Sequence, residues 1–144
     1  MIWDKLETEN WQKAAPYVDT ALIPIVNVYA SSKEKWSKLE DDALYAAAAI
    51  ERQLTGRVML MPLIPYITNE SWCKTYVGEI GCRVREGGFT SAFFILAEKT
   101  VRELPDLGAE ELVLVPVLSA NEAERSEQIQ QLCEQIIGKW QKEV

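Results

Sequence analysis

The sequence predicts a three-layer α/β/α sandwich around a short, mainly parallel sheet of about four strands, and three observations predict it. Four apolar runs of strand length alternate along the chain with segments of helical periodicity, the order that βαβ units leave in a sequence. The runs are continuously apolar, as strands buried on both faces are. Prolines, glycines and cap residues punctuate the junctions between them. Right-handed crossovers then place helices on both sheet faces, and the simplest order of the four runs is 2-1-3-4.

After a polar lead in which Glu9 to Ala15 suits a helical turn, Ala21-Leu-Ile-Pro-Ile-Val-Asn-Val-Tyr29 is the first run. Ser31 or Ser32 can cap the next segment, where Trp36, Leu39, Ala43, Ala47, Ile50 and Leu54 recur at intervals of three and four before Thr55-Gly56. That is a long helix with a glycine stop. Arg57 to Pro62 is the second run. Thr68 or Asn69 then caps a helix with Cys73, Val77, Ile80 and Val84 on one face, stopped by Gly87-Gly88, although Gly78 and Gly81 each cost it roughly 1 kcal/mol relative to Ala. A hairpin from Cys82 to Leu96 is the alternative.

Ser91 to Ala97 is the third run, followed by one or two helical turns ending near Pro105 and Gly108, and Leu112 to Leu118 is the fourth. Ser119-Ala-Asn-Glu122 has capping-box spacing ahead of a last helix in which Ile129, Leu132, Cys133, Ile136, Ile137 and Trp140 form an apolar stripe. Pro24, Pro62 and Pro116 sit inside or just past strand runs. Proline lacks the ladder donor a central strand needs, so each is expected to mark where its strand leaves the sheet.

A chain of 144 residues with no linker, repeat or low-complexity stretch reads as one domain over 1–144, and 48% hydrophobic with 26% charged residues excludes intrinsic disorder. The net charge of −7, with no dense Lys or Arg block, argues against nucleic acid and anionic membranes as partners. No run approaches the ~20 apolar residues of a membrane span, and the opening Met1-Ile-Trp-Asp-Lys5 lacks a signal-peptide core. A cytoplasmic protein is expected. Cys73, Cys82 and Cys133 are odd in number and have no CxxC spacing, which suits buried free thiols in a reducing compartment.

The chain has no histidine, and with it go the commonest neutral-pH base and the commonest metal ligand. No metal and no cofactor is expected. In an open parallel sheet a ligand binds at the carboxyl ends of the strands, here the first and third, which assigns Asn27, Tyr29, Tyr66, Asn69, Glu98, Lys99, Ser119 and Asn121 to the candidate edge. Ser31-Ser32-Lys33 lacks the glycines of a phosphate loop. Glu40-Asp41-Asp42, contiguous on a helix, reads as a solvated face. Trp36 and Trp140 fall on apolar stripes and read as core, whereas Trp72, one residue off the Cys73 stripe, reads as exposed.

Val18-Asp-Thr-Ala-Leu-Ile-Pro24, Glu51-Arg-Gln-Leu-Thr-Gly-Arg57 and Gly88-Phe89 before Phe93-Phe94 resemble the YpiF-like family of bacilli, through most of the chain. The resemblance implies a bacterial cytosolic protein and assigns no catalytic residue. More distantly, Leu22-Ile-Pro-Ile25 and Met61-Pro-Leu-Ile-Pro-Tyr66 are similar to segments of creatininase-type amidohydrolases, whose Glu-x-His and Asn-Gly-His metal motifs are missing here. At most Asp42 stands near a former ligand of that site.

The expected role is a non-catalytic binding or interaction domain with a protein or small-molecule partner. The alternative is a small enzyme, or a degenerate creatininase-like amidohydrolase, using carboxylate, lysine or tyrosine at the strand ends, with Glu98, Lys99 and Tyr66 as its acid-base groups.

Overall fold

The computed structural model describes residues 1–27, 38–67, 71–99 and 111–142. A 3₁₀ turn (Trp3–Lys5) and helix α1 (Thr8–Ala14) lead into β1 (Thr20–Asn27), α2 (Lys38–Gln53), β2 (Val58–Leu60), β3 (Ile64–Tyr66), α3 (Ser71–Glu86), β4 (Ser91–Ala97), β5 (Leu112–Val115) and α4 (Glu122–Lys142). Every strand pairing is parallel, in the order β2-β1-β4-β5 with β3 also on β1. The four anticipated runs thus lie in the anticipated order, and the described residues add a fifth strand.

Alternate residues of each strand serve opposite faces, as the pleat requires. Leu22, Phe93, Ile95, Val113 and Val115 pack with Ala43, Ala46, Ala47 and Ile50 of α2 and Ile129, Leu132, Cys133, Ile136 and Trp140 of α4. Ala21, Ile23, Ile25, Ala92, Phe94 and Leu96 pack with Cys73 and Val77 of α3. The three layers follow. α3 runs unbroken to Glu86, and Gly88 at φ +113° turns the chain into β4, so the hairpin alternative over Cys82 to Leu96 does not form.

Pro24 corrects one expectation. It lies inside β1, opposite Ile95 of β4, rather than at the strand's exit. Leu22 O accepts from Met61 N at 2.8 Å, and Thr20 N donates to Arg57 O, so the even residues of β1 direct their backbone groups toward β2. The donor missing at Pro24 therefore points at the gap where β2 has ended and β3 has yet to begin. Pro62 sits in that same gap on the other chain segment. Two prolines facing each other split one expected strand into two short ones. Pro116, just past β5, does mark an exit.

The last helix corrects a second. Its cap is Asn121, whose Oδ1 accepts from Glu124 N at 3.1 Å; Ser119 accepts from Asn121 N and donates to the Glu124 carboxylate at 2.7 Å. The box is shifted by two residues, with Ser119 behind the cap. Cys73 and Cys133 are buried and free as expected, but Cys82 is exposed on α3. Val28, Tyr29, Ser31-Ser32-Lys33, Trp36, Thr68, Asn69, Pro105 and Gly108 lie outside the described residues.

Candidate functional site

After β1 the chain turns to β2 on one side, and after β4 it turns to β5 on the other, so the carboxyl ends of β1 and β4 form the topological switch point of the sheet. Asn27 ends β1 there and lies opposite Tyr66 of β3; both side chains are buried. Glu98 and Lys99 follow β4 and are exposed, as is Asn121. The expected residues that the structure describes therefore share one edge of the sheet, but in different environments. Asn27 and Tyr66 are inside it, Ser119 is half-buried, and Glu98, Lys99 and Asn121 are in water.

The crevice at this point has an occupant from the chain itself. Asn27 is an odd residue of β1, so its N–H faces β4; it donates to Glu40 Oε2 at 3.1 Å, and Glu40 is only 3% exposed. A carboxylate of α2 thus takes a backbone donor at the strand end, beside the crevice where a ligand binds in sheets of this type. Beside it, Asp42 Oδ2 accepts from Leu118 N at 3.1 Å and from Lys38 Nζ at 2.8 Å, while Lys38 also donates to Leu118 O. The acidic run is therefore not the solvated face expected of it: Glu40 is buried, Asp42 is half-buried, and Asp41 is exposed. Ser119 N donates to Gln128 Oε1, whose amide returns to Val117 O.

Two clefts open near this edge. One of about 330 Å³ lies between the first turns of α2 and α4, lined by Asp41, Tyr45, Ser119 and Arg125, with the Arg125 guanidinium 5.3 Å above the Tyr45 ring. A groove of about 830 Å³ runs between β5 and α4; Glu98, Glu111, Glu134, Lys139 and Lys142 line it, mixing both signs of charge. Among the described residues, no group of three or more His, Cys, Asp or Glu is placed to hold a metal ion. No described helix is long and apolar enough to cross a membrane.

The amino edge of the sheet is closed by a different network. Trp140 Nε1 donates to Thr20 Oγ1 at 2.9 Å, Thr20 donates to Asp19, and Arg57 binds Asp19 at 3.1 Å while stacking 3.8 Å over the indole. Trp140 is core, as expected.

The outer side of α3 is the exposed apolar region. Trp72 is 56% and Tyr76 55% exposed, one helical turn apart, with Leu63 and Ile67 exposed just before the helix. Among the described residues, these are four of the eight large hydrophobic side chains that stand in water, so half of them come from one 14-residue stretch. Trp72 was legible as a residue off the apolar stripe. Tyr76 was not singled out, though its i+4 spacing from Trp72 was the available signal.

Residues 9–141 match the family described as "Protein of unknown function (DUF2487)". The chain belongs to this family. It is also 31% identical over 68 residues to the uncharacterized protein YpiF of Bacillus subtilis (strain 168), a match covering 46% of this chain and 46% of the relative, so less than half of that protein's length is spanned. The YpiF-like resemblance read from the sequence stands. No solved structure gives a significant match. The DUF2487 match takes in both regions just described, the carboxyl edge around Asn27 and the Trp72 face of α3.

Proposed function

We propose that this DUF2487 protein is a non-catalytic protein-interaction domain whose contact surface is the outer face of α3. One observation carries the reading: Trp72 and Tyr76 leave more than half of their surface in water on an ordered helix. Aromatic side chains bury about 150–250 Å² each when covered and anchor interfaces at little cost in side-chain entropy. The carboxyl edge supports the reading by contrast, because Glu40 and Asp42 already take backbone donors there.

The test is the double variant Trp72→Ala/Tyr76→Ala, cross-linked in living cells of the source organism. Both side chains being exposed, its circular dichroism and unfolding free energy stay within about 0.5 kcal/mol of the parent, while its cross-linked complexes disappear. An unaltered set of complexes would sink the proposal.

The small cleft between α2 and α4 favours a second reading, a site for a small ligand carrying both charge signs, at the same edge as Asn27, Tyr66, Glu98, Lys99 and Asn121. Chemical-shift mapping with small zwitterions, anions and amides tests it. Perturbations confined to α3 or to the amino edge would remove it.

A further inference from the structure

We infer that the occupant of the α3 face is a second copy of this chain, docked through the same face as an antiparallel two-fold helix pair; this rests on the reading of α3 as the contact surface. Trp72, Tyr76, Glu79 and Arg83 fall at i, i+4, i+7 and i+11, a spacing that sets all four on one stripe roughly 16 Å long. All four are exposed. The stripe is aromatic in its first half and charged in its second, and Arg83 Nε is held on Glu79 Oε1 at 2.8 Å.

An isologous contact sets residue i opposite residue j and j opposite i. With the two-fold axis between Val77 and Gly78, Trp72 faces Arg83 of the second copy and Tyr76 faces Glu79 of the second copy, twice over. The planar guanidinium of Arg83 can keep an edge on Glu79 and lay its face on the opposing indole. The Tyr76 hydroxyl can donate to the opposing carboxylate. A parallel pairing would instead set Arg83 against Arg83 and Glu79 against Glu79. The charge pattern therefore selects the antiparallel arrangement, and it makes the stripe complementary to itself.

A contact of four side chains from each copy falls short of the ~1,000 Å² that stable complexes bury, so the pair is expected to be weak and concentration-dependent. Sedimentation equilibrium from about 10 µM to about 1 mM is the experiment suited to such a weak contact. The average mass should rise from 16.3 kDa toward twice that value. Arg83→Ala should weaken association roughly 4- to 25-fold, since it removes two equivalent cation–π contacts each worth about 2- to 5-fold.

Trp72→Ala/Tyr76→Ala should abolish association with the fold intact by circular dichroism. A mass that stays at 16.3 kDa throughout overturns the second copy, and a dimer indifferent to Arg83→Ala overturns its antiparallel docking on this stripe. The two proposals fail separately. A chain that is monomeric throughout, but loses its cross-linked complexes in Trp72→Ala/Tyr76→Ala, overturns this inference and leaves the contact surface standing.

Discussion

Two helices pack on one face of the sheet and, among the described residues, α3 packs on the other, and the two faces differ both in how they are covered and in how deeply they are buried. Under α2 and α4, a patch of alanines (Ala43, Ala46, Ala47 and Ala49) brings α2 close to the sheet, and large side chains such as Ile50, Phe93, Ile95 and Ile136 fill the space between. Under α3, close approach rests on Gly81, where an added Cβ would stand 3.2 Å from Phe94 Cζ. On that side Leu112 and Leu114 are half-buried, whereas Val113 and Val115 on the other side are fully buried. Among the described residues, the face under α2 and α4 holds the larger part of the core, and the outer side of α3 stands in water.

The strongest way to break this comparison is to empty the same kind of site on each face. Ile136→Ala, at a fully buried position under α4, should cost about 2–5 kcal/mol, and Val77→Ala under α3 should cost less, about 1–2.5 kcal/mol for its two methyl groups. Equal losses per carbon removed, three at Ile136 and two at Val77, in chemical denaturation would mean that the faces contribute alike. Next in size is Trp140→Phe, which removes the buried donor to Thr20 and the indole beneath Arg57; a loss of roughly 1–3 kcal/mol is expected. An unchanged midpoint would show that the amino edge holds without this network.

The glycines sharpen the comparison within one helix. An added Cβ at Gly78 meets nothing within 4 Å, so Gly78→Ala should stabilise the domain by about 0.5–1 kcal/mol. Gly81→Ala gains the same helix propensity but presses on the Phe94 ring, so it should come out less stable than Gly78→Ala by about 1 kcal/mol or more. Two variants of equal stability would mean that Phe94 yields freely.

The smallest effect concerns the thiols. Cys82 is exposed, while Cys73 and Cys133 are buried, so one thiol should react quickly with a thiol reagent in the native state and all three only after denaturation. Burial pushes the Cys133 thiol above its ordinary value, and Glu134 adds to the shift. The folded chain then holds this proton to higher pH than the unfolded chain. The resulting stability is fully present below pH 9.0, the thiol's ordinary value, and is lost as pH rises through the raised one. Cys133→Ala should flatten the alkaline decline in stability. A decline as steep as the parent's would assign it to other groups.

What the sequence made legible was what repeats. The four apolar runs and the stripes of α2, α3 and α4 have periods that local reading detects, and Trp72 could be placed in water because it falls one step off such a stripe. What was not legible depended on partners distant in sequence. Ile64-Pro65-Tyr66 is too short and proline-bound to read as a strand, and it becomes β3 only because Val26 and its neighbours in β1 lie alongside. Glu40 looks like one member of an acidic surface run until Asn27 N–H is seen to reach it. Pro24 reads as a strand exit until the gap it faces is known. At the carboxyl edge, the strand positions could be inferred from the pattern, but the carboxylate filling the crevice could not.

The bond from Trp140 to Thr20 joins residues 120 positions apart. A ribosome adding about 5–20 residues per second needs roughly 6–24 s to make that interval. For all of that time Thr20 waits without the donor that will cover it. β1 must likewise wait for β2 and then β4 before it has neighbours on both sides. The central strand is thus made well before the elements that enclose it, and a nascent chain stopped just short of Trp140 should present its amino edge open to proteases and chaperones that a chain carrying Trp140 excludes.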